Sequence, residues 1–211
     1  AECNLTPKAK KTIEKILGHS IVYYATWMDE WRAEPGYEHT SAWHTASVDK
    51  NLVYAPRPKG DVIFALEDAI AKLQDYKQQD DSTVVMSLRC IIHFVGDMHC
   101  PVHVKYADQK SYNVYLNGDK CSYHNVWDDQ IISRSGYLEY AHQLDRGTKQ
   151  QIKTITAGTL RDWFHENARD SRHIYELVGP NEKLDKNETK SFVNHTHEYA
   201  ERQILRAGYR L

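Results

Sequence analysis

His93 and Asp97 stand four residues apart in the run Ile91-Ile92-His93-Phe94-Val95-Gly96-Asp97-Met98-His99-Cys100-Pro101-Val102-His103. On a helix that spacing puts an imidazole and a carboxylate on one face, one turn above the other. Pro101 ends such a helix and lets His103 fold back toward the same region. The His-x-x-x-Asp spacing recurs at His124 and Asp128, and upstream Asp29 and His44 flank a Pro- and Gly-rich stretch. Neutral imidazoles and carboxylates are zinc ligands, and this set exceeds what one tetrahedral zinc uses. A lone His-x-x-x-Asp is ordinarily a surface pair or a satisfied core histidine. Two of them, joined by a His-Pro loop and set in an otherwise apolar helix, point to metal, because an unpaired buried carboxylate is costly and a cation removes that cost.

The elements that must carry these groups are mostly helical. Thr6-Pro7 is a capped helix start and Gly18 its end. A second helix is expected from His19 through Trp31, followed by a long irregular stretch from Ala33 to Gly60. Asp61 opens a helix with Ile63, Leu66, Ala69, Ile70 and Leu73 on one face, and Ser82 caps another that runs through Val95. Residues 112–121 carry the one convincing β signal, a hairpin whose Asn117-Gly118 suits a type I′ turn. Helical patterns return after Tyr123 and over 148–156, 159–178 and 188–207. No repeats or interdomain linkers interrupt the chain, so residues 1–211 are expected to form one mostly α domain.

Composition narrows the remaining choices. The chain has 27 Lys+Arg against 29 Asp+Glu, which disfavours holding nucleic acid by protein charge alone. Twelve histidines stand out beside three methionines. His39, His142, His165, His173, His195 and His197 lie in polar or terminal contexts and read as surface residues, whereas His99 is expected near the cluster without ligating. Four cysteines, Cys3, Cys90, Cys100 and Cys121, show no C-x-x-C spacing; two disulfides are permitted but not implied. No apolar run approaches the length of a membrane span, so membrane insertion is not expected. Sequons at Asn4, Asn187 and Asn194 fit a secreted eukaryotic protein, and a secreted or periplasmic location is expected.

In order and spacing, Asp29-x-x-Arg32, Trp43-His44, His93-Phe94-x-Gly96-Asp97-x-x-x-Pro101-x-His103 and His124-x-x-Trp127-Asp128 resemble the zinc-dependent single-strand nuclease/3′-nucleotidase family. That family has fungal, plant and bacterial members and shares its fold with bacterial zinc phospholipases C. The closing Gly208-Tyr209-Arg210-Leu211 is similar to the family's C-terminal signature. The resemblance implies an all-α phospholipase C/nuclease-like domain with a small hairpin. It further implies a first zinc held by Asp29, His44, His93 and Asp97 and a second held by His103, His124 and Asp128. A third zinc would use Asp97 and an N-terminal Trp/His segment. No such segment precedes the Thr6 helix, so truncation is expected at the N-terminus and slightly at the C-terminus.

By the same resemblance the chain hydrolyses single-stranded nucleic acid and 3′-nucleotides as a monomer, through a zinc-bound hydroxide. Asp29 and Asp97 take part in catalysis. Arg32 orients Asp29, contacts phosphate, or is a surface arginine. Three zincs would set six positive charges against three carboxylates and one hydroxide, a net of roughly +2 that can bind phosphate in a nearly neutral protein. Two alternatives stand beside this reading: a zinc phospholipase C acting on phospholipid head groups, and a zinc-binding relative without activity as the chain stands. Asp128, where the phospholipase branch carries Glu, favours the nuclease. Thr45-Ala46-Ser47 after His44, with neither the aromatic ring nor the acid of a base pocket, favours the phospholipase. Tyr106, Tyr123 and Trp127 could stack a base or line an acyl pocket, though core packing is the ordinary use of Trp127.

Overall fold

The computed structural model of the chain describes residues 1–135 and 144–211; His142 lies outside them. Helix α1 (Pro7–Leu17) starts on Thr6, whose side chain accepts from the Ala9 N–H, and ends at Gly18, whose φ of 82° lets the chain leave the helix. The expected helix over 19–31 is broken. A 3₁₀ turn (Ile21–Tyr24) and a short α2 (Trp27–Trp31) replace it, and Thr26 between them has non-helical backbone angles.

The stretch expected to be irregular also holds order. A 3₁₀ segment (Glu38–His44) runs into strand β1 (Ala46–Val48), which pairs antiparallel with β2 (Tyr54–Ala55). It also pairs in parallel with β3 (Val104–Tyr106), with Ala46 opposite Val104. This pairing ties the residues just after His44 to those just after His103. Such short strands, bounded by Pro and Gly, leave almost no period-2 signal in the sequence.

Helix α3 (Val62–Gln74) is capped by buried Asp61, which accepts from Ile63 N and Phe64 N. Helix α4 (Asp81–His99) is capped by Asp80 and not by Ser82, because the Asp80 carboxylate takes the Thr83 N–H. These two helices pack together with Phe94, Leu66, Met98, Ala46 and Val104 between and beside them, forming the first core. Phe164 and Ala168 of α8 (Leu160–Ser171) complete it.

The second core is built on the hairpin and the last helix. Strands β4 (Asn113–Leu116) and β5 (Asp119–Ser122) pair through a turn at Asn117 and Gly118, with φ of 54° and 90°. Strand β6 (Lys183–Leu184) adds in parallel to β4. The chain then runs through α5 (Tyr123–Asn125), a π-helical turn (Val126–Gln130) and α6 (Ile131–Ser135). Helix α7 (Lys149–Ile155) follows the undescribed residues, and the helix expected over 159–178 gives way after Ser171 to a 3₁₀ turn (Arg172–Glu176). There the Tyr123 hydroxyl donates to the Ile174 carbonyl. Helix α9 (Lys186–Arg210) closes the chain across both cores. Tyr106, Tyr123 and Trp127 are all core residues. The fold is predominantly helical with small sheets, and among the described residues no helix is long and apolar enough to cross a membrane.

Candidate metal centre

The C-terminal half of α4 brings His93 and Asp97 onto its buried face. The break before α2 leaves the Ala25 carbonyl to accept from His93 Nδ1 at 2.6 Å. A carbonyl can only accept, so Nδ1 carries the proton and Nε2 is the nitrogen turned inward. That nitrogen lies 3.1 Å from Asp97 Oδ2, 3.1 Å from His44 Nδ1 and 3.7 Å from Asp29 Oδ2. His44, at the end of its 3₁₀ segment, places Nδ1 2.8 Å from Asp97 Oδ2 and 3.4 Å from Asp29 Oδ1. Four donors from three separate elements therefore converge. Ligands about 2.1 Å from a tetrahedral zinc stand about 3.4 Å from one another, and these spacings bracket that value. A neutral His93 would aim a bare lone pair at two carboxylates, so the cluster requires either an extra proton or a cation.

The second cluster begins where Pro101 ends α4. The 3₁₀ turn Pro101–His103 returns His103 to the site, with Nδ1 3.2 Å from Asp97 Oδ1 and Nε2 3.4 Å from Asp128 Oδ1. His124 Nε2 is 3.4 Å from Asp128 Oδ2, and the His103 and His124 rings stack at 4.9 Å. Asp97 thus offers Oδ2 to one cluster and Oδ1 to the other. Arg32 Nη1 sits 3.2 Å from Asp29 Oδ1 with its side chain 45% exposed.

Charge follows this geometry. Burial pushes the Asp97 carboxyl up, but His103, His44 and His93 around it prevail and hold it well below the usual range. Burial likewise raises Asp128, and its His103 and His124 partners more than reverse this. For His103, burial disfavours the cation, yet Asp97 and Asp128 lift it to about 9. His93 is raised in the same manner, burial being outweighed by Asp97. Without metal at neutral pH, protons on these rings take the place a divalent cation would fill.

Metal uptake needs neutral imidazoles. Filling the metal-free site at pH 7 is therefore expected to release protons, and the share that comes from the imidazoles is expected to vanish above about pH 9, which an indicator dye or calorimetry in two buffers would measure. The linkage to folding has two edges. The raised histidines stabilise the metal-free fold fully below their ordinary 6.5 and lose that contribution as pH climbs through about 9. The depressed carboxylates contribute above their ordinary 3.8 and lose it as pH falls below. Metal-free stability should peak between those two ordinary values.

Of the seven residues expected as ligands, Asp29, His93, Asp97 and Asp128 line one open cleft of about 350 Å³, with Thr26, Gly96, Ile132, Ile204 and Ala207 among its walls; His44 and His103 are buried beside Asp97, and His124 lines a second hollow. His99 also reaches that cleft, but its ring is engaged elsewhere, Nδ1 with the Val95 carbonyl and Nε2 with Arg210. Of the histidines read as surface residues, His165 and His197 depart: both are half-buried, and His165 accepts from Tyr54 N. His39, His173 and His195 are exposed. Thr45, Ala46 and Ser47 lead into and form β1, with Ala46 fully buried.

Sequence reasoning missed Cys100. Its Sγ lies 3.5 Å from Asp128 Oδ1, and one donor atom each of Cys100, His103 and Asp128 fall within 4.8 Å of one another. The available signal was the Cys-x-x-His spacing of Cys100 and His103 across the proline. Burial, with the Asp128 and Asp97 charges, pushes this thiol well up, so it is protonated in the metal-free chain.

Comparison with known proteins finds endonucleases among those similar to this chain. Endonuclease 2 of Arabidopsis thaliana is 30% identical over 112 residues, 48% of this chain and 39% of the relative. Endonuclease 3 of the same plant is 26% identical over 169 residues, 74% of this chain and 56% of the relative, and Endonuclease 1 is 28% identical over 104 residues. The chain spans between about a third and just over half of the length of these relatives. The sequence model for the S1/P1 Nuclease family matches residues 1–211, and the chain belongs to that family.

Proposed function

We propose that this chain is a zinc-dependent phosphodiesterase that hydrolyses single-stranded nucleic acid and 3′-nucleotides. The observation that carries the reading is Asp97, a buried carboxylate whose two oxygens face two separate groups of donors. Asp29, His44, His93 and Asp97 would hold one zinc, and His103, His124 and Asp128 the other. Bound zinc supplies an acidified water and a Lewis-acid grip on phosphate oxygens.

The chain's own residues then prepare the site. The Ala25 carbonyl fixes the His93 tautomer, and Asp97 Oδ1 beside His103 Nδ1 leaves His103 Nε2 as the nitrogen turned toward Asp128. Arg32 holds Asp29 in place and keeps exposed N–H groups at the rim, where a phosphate could take them in pairs. The burial of His44, His93, Asp97 and His103 keeps bulk water away from the donors. A third zinc, export from the cytoplasm and a monomeric state belong to the same proposal.

One observation favours the second reading, a phospholipase C: the residues after His44 are committed to a buried strand and present no ring for a base. Asp128, in place of glutamate, weighs for the nuclease. The test measures zinc per chain after reconstitution and compares product release from single-stranded DNA and from a short-chain phosphatidylcholine. We expect at least two zincs and release from DNA. A chain that binds none would overturn the metal centre, and release from the lipid alone would replace the nuclease with the phospholipase.

A further inference from the structure

Resting on that metal-centre reading, we infer that Cys100 is a ligand of the second cation, making the His103–His124–Asp128 site a mixed sulfur, nitrogen and oxygen site selective for soft divalent ions. The sulfur is not an isolated thiol. It stands 3.5 Å from the same Asp128 oxygen that faces His103 Nε2, and its donor atom joins theirs within 4.8 Å.

The backbone holds it there. The Cys100 N–H closes α4 on the Gly96 and Asp97 carbonyls, Pro101 follows, and the Cys100 carbonyl accepts from His103 N at 3.1 Å. Cys100 and His103 are thus the two ends of one tight turn, whose geometry is set by proline and by the Ala46–Val104 strand register just beyond it. The residue also lines the open cleft, so a cation can reach it.

The other three cysteines lack this setting. Cys90 is buried in the first core, Cys3 is exposed at the N-terminal turn, and Cys121 lies on β5. Of the four, Cys100 is the one whose sulfur falls in a group of atoms able to hold a metal.

The step balances simply. The thiol proton leaves by way of Asp128 Oδ1, which already faces it, to solvent, and the sulfur lone pair takes the metal. No oxidant or reductant is needed. A thiolate ligand favours zinc, cobalt or cadmium and gives no advantage to magnesium or calcium, which prefer oxygen.

Reconstitution of the whole chain with cobalt(II) tests this. We expect two cobalt ions, visible ligand-field bands, and an intense near-ultraviolet sulfur-to-cobalt charge-transfer band that Cys100→Ser removes while the ligand-field bands remain. In the unsubstituted protein, cadmium should slow iodoacetamide labelling of Cys100, read by peptide mass, by about tenfold or more, because only the free thiolate is nucleophilic. Bound cobalt without a charge-transfer band, or equal labelling rates with and without bound cadmium, would overturn the role of Cys100 and leave the metal centre standing. Failure to bind cobalt at all would overturn both.

Discussion

On the proposed reading, Asp97→Asn is expected to leave a folded chain that has lost at least one of two metals and hydrolyses single-stranded DNA at least about 10³-fold more slowly. The substitution keeps the side chain's shape and removes its charge. Asp97 Oδ2 faces His44 at 2.8 Å and His93 at 3.1 Å, while Oδ1 faces His103 at 3.2 Å. An amide would have to present its nitrogen to one side, setting N–H groups against ring nitrogens that need a lone-pair partner or a cation. The neighbouring imidazoles can shed their extra protons when the carboxylate goes, so the fold survives even though the site does not. The discriminating measurement is metal content by elemental analysis beside turnover. Two retained metals with activity within about tenfold of the parent would refute the role assigned to Asp97.

Arg210→Ala is expected to lower Tm by about 6–12 °C, although the side chain lies outside the donor set. The Arg210 side chain is 3% exposed and joins four elements of structure. Its Nε donates to the Ile155 carbonyl at 2.9 Å, Nη1 to His99 Nε2 at 2.9 Å and Nη2 to Glu166, and the guanidinium covers the Trp163 ring. His99 can accept because burial, helped by the Arg210 charge, drives its pKa down to about 3, and Nδ1 gives its proton to Val95. Truncation strands the buried His99 nitrogen and the Ile155 carbonyl, while Glu166 keeps Arg206 at 3.1 Å. Together these cost about 3 kcal/mol. Arg210→Lys should recover little, since one ammonium cannot reach three partners in the plane of a fork. A shift below about 2 °C in thermal unfolding would show that the contact carries no weight.

Most of the centre was legible because its chemistry depends on residue type and local spacing. His93 with Asp97, and His124 with Asp128, announce themselves through helical periodicity, and Pro101 explains why His103 returns. The Asn117-Gly118 turn and the Thr6 cap were readable for the same reason: one or two residues determine the geometry. What was hidden depends on contacts far apart in the chain. The parallel pairing of Ala46 with Val104 joins two segments nearly sixty residues apart, each too short to show alternation. The break over residues 19–31 has no proline or glycine to mark it and matters because it leaves the Ala25 carbonyl to His93. Cys100 was hidden differently, since its only local signal is a spacing to a single histidine.

The turn over Val126–Gln130 is π-helical, wider than the helix on either side of it. Its consequence concerns the length of the chain. A π turn holds one residue more than a regular turn between the same flanking helices, so deleting Asp129 or Gln130 would let the backbone relax into ordinary helix. The flanking helices would keep their places, and the adjustment would stay within the turn. His124 and Asp128 would stay four residues apart, a spacing that shares a face on an ordinary helix as well. The two ligands can therefore outlast an in-frame loss of one codon after Asp128, which a regular helix could not absorb without turning its far end by about 100°.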